Sequence, residues 1–573
     1  MPRIILCLII LLASTHPVNA SESQHIEAIE VYSENEQVDE NIALYLKKYQ
    51  SKVFSHRQEK AMAADVRLAL QALGYYEFSI DIEFSSHSQQ LKVHVELAPA
   101  FKWHTIDVRI QGDANHDQVL QRLLKSLPIK VGGVLRHDAY SSAKSQIEST
   151  LLERGYFDFT WQKSRLEVNQ TSKHAAAKLY LESGPRYKFG ELKLSGGSKA
   201  TRFIVELATF DQNTNYDAKK LSDYSIALNE TPYFANVTVY PLLKERQLGK
   251  VPVRVDVTDK PANSFEIGGG YSTELDAKFR LKWKKPWVNQ FGHSFETDLN
   301  LSERKQDITG AYTIPVGDPN DDLWRVLSGY QLQDDLTEGV KLTTWNVQLQ
   351  RQRVFESGWV RTAFLKREHE KSEQTGLLLD TEMLLPGVSY ARKRSKGGMT
   401  PSWGSEQLLT LEVAHESVIS STSLAKIHWK QAWLRTYKAR HLALLRAELG
   451  ALVAKEFDKT PLNMRFFAGG DQSIRGFAFQ SISPRGPQGE RLGAKYLVAA
   501  SAEYNYQFLP NWRAAIFVDA GTATNDFEEK WSVGAGFGFR YLTPFGPVRV
   551  DHAWGLSKPS KSTRLSIVIG PEI

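Results

Sequence analysis

The sequence predicts a row of small α+β modules followed by an all-β transmembrane barrel of about 16 antiparallel strands. Three observations carry that fold class. One order of elements, β-α-α-β-β, recurs three times between residue 21 and about residue 262. Helical periodicity then stops at Ser264 and gives way to segments of roughly ten residues with period two. Eleven of the thirteen tryptophans fall in that second half, as interfacial aromatic girdles require.

The first twenty residues read as a secretory signal. Arg3 supplies the basic start, Ile4 to Ala13 the apolar stretch, and Val18-Asn19-Ala20 a small-residue cleavage site. The apolar stretch is too short to span a bilayer. Cys7, the only cysteine, lies inside it, so the mature chain is expected to have no disulfide, thiolate nucleophile or cysteine metal site. Lys+Arg exceeds Asp+Glu by 71 − 65 = 6, a surplus too small and too scattered to argue for nucleic-acid binding. No other run of 18 apolar residues occurs, so a membrane crossing has to be a closed barrel.

The modules are marked by aromatic pairs, Tyr75-Tyr76, Tyr156-Phe157 and Tyr233-Phe234, spaced 81 and 77 residues apart. A helical pattern precedes each pair. Met62, Val66, Ala69 and Leu73 form one apolar face; Tyr140, Ala143, Ile147 and Leu151 the second, with Asp138 as its expected N-cap; Asp217, Leu221, Tyr224 and Leu228 the third. Alternating strands close each module, clearest at Leu91-Val93-Val95-Leu97 and Val251-Val253-Val255-Val257. The pairs are expected to be core residues at a helix–strand junction. The expected divisions are 1–20 signal, 21–98, 99–184 and 185–261 modules, and 262–573 barrel.

In the last five strands, inward and outward faces separate. Glu503, Asp519, Arg540, Arg549 and Asp551 share one face, and Tyr504, Val518, Phe539, Val550 and Leu565 the other. Between the eleventh and twelfth strands, about 455–493, lies the longest loop. It carries Ser473-Ile474-Arg475-Gly476-Phe477. An arginine turned into the lumen needs a carboxylate, and Asp519 and Glu503 are the nearest inward ones. Gly534, Gly536 and Gly538 clear one inward strand face, and are expected to make room for the loop tip, Phe477 included. Spacing alone leaves a solvated loop arginine and simple strand curvature as open alternatives.

The run Phe466 to Phe477, with Phe517-Val518-Asp519-Ala520-Gly521, the segment Thr543 to Asp551 around Pro544-Phe545-Gly546-Pro547, and the terminal Ile569-Gly570-Pro571-Glu572-Ile573, resembles the hallmarks of the BamA/TamA-type outer-membrane assembly superfamily. The three repeats resemble polypeptide-transport-associated (POTRA) domains, and three of them with the Gly-Pro-Glu ending are most similar to the TamA branch, the translocation and assembly module's barrel subunit. The resemblance implies a latch of Arg475 against the strand carrying Asp519. It also implies a weak lateral seam between the first strand, about 264–273, and the last, about 563–570. Gly268, Gly269 and Gly270 on the first strand supply no cross-strand packing, and Ile567 and Ile569 stand on the last.

From this follows an expected non-enzymatic assembly factor of a Gram-negative outer membrane, its modules periplasmic. Its expected partners are a TamB-like inner-membrane-anchored protein, unfolded outer-membrane or autotransporter clients, and outer-membrane lipid. No cofactor, metal or nucleic acid is expected. An exporter of the two-partner-secretion type, passing polypeptide through the lumen, is the alternative; a passive porin is a third. No Gly-x-Ser-x-Gly or His-Glu-x-x-His motif supports an enzyme.

Overall fold

Period-two alternation and helix-period apolar faces sort the chain into the elements that the computed structural model contains. It describes residues 25–272, 276–335, 339–374, 376–398, 400–528, 531–544, 546–557 and 562–569. The signal segment 1–20, Phe545 and the terminal 570–573 lie outside the described residues. The chain divides into two compact units, one of residues 1–193, 210–222 and 240–254, the other of 194–209, 223–239 and 255–573.

The first module has strands Ala28–Tyr32, Phe78–Ser85 and Gln90–Leu97, and helices Glu36–Leu46 and His56–Ala72. Its third strand lies between the other two, parallel to the first and antiparallel to the second. The second module repeats this order with strands Lys102–Gln111, Thr160–Asn169 and His174–Glu182 and helices Gln118–Lys125 and His137–Arg154. A third sheet, of Lys188–Ser195, Phe234–Pro241 and Lys250–Asp259, has the same order. Helix faces bury as their periodicity predicts: Met62, Val66, Ala143, Ile147, Leu151, Tyr224 and Leu228 are fully enclosed. Asp138 is not an N-cap. The helix starts at His137, its cap position taken by extended Arg136 two residues earlier, and the Asp138 carboxylate instead accepts from the Arg136 guanidinium (2.9 and 3.0 Å).

The aromatic pairs do more than fill cores. Tyr75 packs on the first module's core, whereas Tyr76 stacks on Phe101 of the second (5.1 Å) and shares a 2.8 Å hydrogen bond with His137 Nε2. Gly74, at φ +90°, lets the Phe101 N–H reach its carbonyl (2.9 Å) and the Leu135 carbonyl approach where a Cβ would stand. The joint recurs one module on. Gly155 accepts from the Tyr187 N–H (2.9 Å), Tyr156 is buried in its own core, and Phe157 packs on Tyr187 and Tyr216. In the other unit Tyr233 stacks on Trp287 (4.6 Å), and its hydroxyl donates to the Gly292 carbonyl (2.8 Å) in the turn just before the strand Ser294–Ser302.

The barrel is closed, with sixteen strands. Strands 1 to 5 are Ser264–Ser272, Asp276–Lys285, Ser294–Ser302, Lys305–Pro315 and Asp322–Asp335. Strands 6 to 10 are Val340–Val354, Val360–Gln374, Leu377–Lys396, Trp403–Ala414 and Leu424–Tyr437. Strands 11 to 16 are His441–Ala454, Tyr496–Leu509, Trp512–Thr524, Ser532–Thr543, Gly546–Gly555 and Thr563–Ile569. All neighbours pair antiparallel, and the end where strand 1 begins is the proximal end below. Among the described residues no helix is long and apolar enough to cross a membrane, which says nothing of a barrel. The faces follow the alternation. Glu503, Asn505, Asp519, Arg540 and Asp551 are buried inward, while Tyr504, Ile516, Val518, Phe537 and Phe539 are exposed outward.

Candidate functional site

The loop joining strands 11 and 12 turns back into the barrel because it carries its own apolar residues and its own cations. Met464, Phe466, Ala468, Ile474 and Phe477 form one buried cluster with the inward Met383, Leu385, Leu452, Leu497 and Ala523. The Arg465 guanidinium ties the loop's two limbs, donating to the carbonyls of Asp458 (2.9 Å), Thr460 (2.8 Å) and Leu492 (2.7 Å). Strand 7 holds its beginning: Glu370 accepts from the N–H groups of Leu462 (2.5 Å) and Asn463 (3.2 Å). At the tip, the Ser473 hydroxyl accepts from the Gly469 N–H at 3.4 Å.

Arg475 is 3% exposed and each of its three guanidinium nitrogens donates a hydrogen bond. Nε and Nη2 make a fork on Asp519 at 2.8 and 2.9 Å, Nη1 donates to Glu503 at 2.6 Å, and Nη2 also reaches the Ser501 hydroxyl at 3.3 Å. The Arg475 N–H adds a bond to the same Asp519 oxygen (3.0 Å). Beneath the guanidinium lies the Phe517 ring, its centroid 3.4 Å from Cζ. A second arginine completes the layer: Arg540, fully buried, donates to Glu503 (2.9 Å) and Asp551 (2.5 Å). Two guanidinium groups and three carboxylates thus pair with one another inside the barrel, with Arg446 adding positive charge near Glu503 and Asp519, which offsets the desolvation that any of them alone would suffer.

Gly476 sits at φ +93°, and a Cβ there would strike the strand 15 backbone at Trp554 and Gly555. Its carbonyl accepts from the Ser562 hydroxyl. The three strand 14 glycines divide their work, contrary to the expectation that all of them admit the loop tip. Gly534 alone receives the loop, its missing Cβ occupied by the Arg475 carbonyl. Gly536 gives its space to the Phe517 ring and the His552 carbonyl, and Gly538 to Asp551 and Arg540. Alternate residues of one strand lie about 7 Å apart, so a tip one residue thick meets only one level. Phe477 goes elsewhere, against Gly555 on strand 15.

Asp519 and Glu503 are legible from strand parity and the need to pair a lumen arginine. Parity also placed Phe517, Arg540 and Asp551 inward, but not in the Arg475 layer, because strand stagger decides which inward residues share a level. Ser562, on the loop before strand 16, carries no sequence signal.

Strand 1 and strand 16 meet sparsely. Among the described residues their register is the single pair Ser272↔Val568, whereas strands 1 and 2 pair over nine positions and strands 15 and 16 over seven. Continuing that antiparallel register puts Gly270 opposite position 570, outside the described residues. Gly269 and Ile567 are therefore not partners, as the expectation of a shared seam position assumed; strand 16 is slid away from the proximal end, so that its last residues meet the far end of strand 1. Ile569 keeps a described backbone pairing, with Val548. Among the described residues no group of three or more His, Cys, Asp or Glu is placed to hold a metal.

A closed sixteen-stranded barrel with a loop seated in its lumen, preceded by β-α-α-β-β modules, defines a distinct class of module-bearing barrel. The chain belongs to the Omp85 superfamily, whose domain model matches residues 260–572. A model described as POTRA domain TamA domain 1 matches residues 28–97, and a POTRA model described as surface antigen variable number repeat matches 105–181. The chain is 21% identical over 565 residues to the outer membrane protein assembly factor BamA of Neisseria meningitidis serogroup B, covering 85% of this chain and 69% of that one. It is 22% identical over 370 residues to BamA of Nitratidesulfovibrio vulgaris, covering 60% of this chain and 45% of the relative. The crystal structure of BamA from Haemophilus ducreyi lacking POTRA domains 1–3 shares the fold at TM-score 0.68 and 16% identity, covering 82% of this chain and all of that one.

Proposed function

We propose that the protein is an outer-membrane assembly and translocation factor of the TamA type, promoting insertion or secretion of β-barrel and autotransporter-type clients. The observation that carries this reading is the seam, where a single described residue pair joins strands 1 and 16. Unpaired backbone groups facing lipid are costly, and a client strand can satisfy them by adding to the free edge. Strand length adds to this. Strands 16, 1, 2 and 3 have 7, 9, 10 and 9 residues, against 15 and 20 in strands 7 and 8 across the ring. At about 3.4 Å per residue the seam wall spans less bilayer than the far wall, so lipid beside it is thinned.

The modules, periplasmic in this reading, offer edge strands to an extended client or to a TamB-like partner. The third sheet counts as a third POTRA domain. Arg475 acts as the latch that keeps the lumen filled while the seam works, which weighs against free passage of polypeptide through the lumen. No nucleotide or metal is needed, since client folding supplies the driving force.

Proteoliposomes carrying the full chain test the reading. They should fold a urea-denatured outer-membrane barrel client faster than liposomes of equal lipid composition without it, and conduct ions poorly. Equal folding rates, or a large stable conductance, would overturn it.

A further inference from the structure

Strands 6 to 10 change character at their proximal ends. On the outward face Val347 and Leu349 are followed by Arg351 and Arg353, and Leu365 leads back through Ala363 to Arg361. Tyr390 is followed by Arg392, Arg394 and Lys396, and Trp433 by Arg435. Period two puts each of these cations on the same face as the exposed apolar residues before it. Aromatic rings lie between them. Arg353 and Arg361 both stand over Phe355 (5.9 and 5.6 Å), Arg392 over Trp359 (5.7 Å), and Arg394 and Arg435 flank Trp403 (5.7 and 4.6 Å).

The belt is short of anions. Arg351 forks onto Asp322 at 3.0 and 2.8 Å, and Asp322, in register with Arg353, is shared electrostatically with Arg353 and Arg361; among the described residues Arg353, Arg361, Arg392, Arg394, Lys396 and Arg435 make no close ion pair of their own. Glu356, in the turn after strand 6, is also without an ion pair. Arg435 spends one nitrogen on the carbonyls of Gly404 and Leu434, and Arg392 Nε is enclosed with no acceptor at all. Arg353 and Arg361 are direct cross-strand partners. Like charges at that position repel unless an anion lies between them.

We propose that this belt is a binding surface for the phosphates of anionic phospholipids in the leaflet at the proximal end of the barrel. Tryptophan rings mark headgroup depth. The guanidinium fork matches a phosphate bidentately, and stacking on rings holds it open for that contact. Charge selects the occupant: six cations without a close ion pair of their own outnumber the unpaired acids beside them, Glu356 and, in the turn before strand 5, Asp318 and Asp321, and favour phosphatidylglycerol over a zwitterionic headgroup. The belt is centred on strands 7 to 9, half-way around the ring from strands 16 and 1. Lipid held there would fix the long-stranded wall in the bilayer and leave the seam as the side that deforms.

The test uses the full chain in detergent, titrated with phosphatidylglycerol or phosphatidylethanolamine in mixed micelles, with retained lipid counted by native mass spectrometry. Phosphatidylglycerol should be retained preferentially. Each of two separate variants, Arg353→Gln/Arg361→Gln and Arg394→Gln/Arg435→Gln, should weaken that retention by about thirtyfold, since each basic side chain near an anionic surface contributes about 1 kcal/mol. The shift of folded barrel on unheated gels confirms that each variant is intact. Retention unchanged in both folded variants, or equal retention of the two lipids by the native chain, overturns the proposal. So does a polyglutamate peptide that binds in place of lipid and is lost from the variants.

Discussion

The carbonyl of Arg475 occupies the place where a side chain on residue 534 would begin. Loop backbone and strand backbone therefore touch directly, and no rotamer change can relieve an added methyl. Gly534→Ala should lift the loop tip and lower barrel stability by about 1–3 kcal/mol, the usual cost of overpacking a close contact. Urea titration followed by gel mobility without heating measures it. Native stability would show that the loop yields freely.

Asp519 is fully buried and takes three bonds from Arg475. Arg475→Ala should cost about 3–5 kcal/mol, because it leaves an uncompensated carboxylate inside the barrel. The double variant Arg475→Ala/Asp519→Asn should recover part of that loss, and its cost should fall short of the two single costs added together. Strict additivity in the urea midpoints would mean the two residues act independently.

Ser272 and Val568 are backbone register partners across the seam. A cysteine at each position should crosslink under oxidation and abolish client folding, with activity returning on reduction. Full activity in quantitatively crosslinked protein would remove seam opening from the mechanism. The same experiment at positions 269 and 567 should give little crosslink, since the register sets them apart.

His137 shares a hydrogen bond with Tyr76 at the joint of the first two modules, and burial holds its imidazole below the usual range, against the opposing pull of Asp138. A depressed folded-state value means that the unfolded chain binds more protons in the window below about pH 6.5. The joint's stability is thus present at neutral pH and declines as pH falls through the folded value. Hydrogen exchange at Tyr76 and His137 should accelerate on acidification from pH 7 to pH 5, and His137→Asn should flatten the response. Exchange indifferent to pH in the native chain would place no titration at this joint.

How much of this was readable beforehand differs by element. The helix faces around Met62, Ile147 and Leu228, and the inward parity of Glu503, Asp519 and Arg540, depend on local periodicity alone, and the structure keeps them in place. The Asp138 cap missed by two residues, because helix starts turn on the backbone angles of Arg136 rather than on residue type. The shared service of Gly534, Gly536 and Gly538 to one loop was too simple, since each meets a different neighbour.

Residue order by itself determined the sixteen strands, the faces they present, the modules before them and the arginine that would need a buried acid. These follow from repeats of two and 3.6 residues, which any stretch of chain carries within itself. Only the closed barrel decided that strand 16 is offset against strand 1, that Phe477 rests on Gly555, and that Arg540 joins the Arg475 layer. Stagger accumulates around the whole ring before the ends meet, so no local segment can encode it.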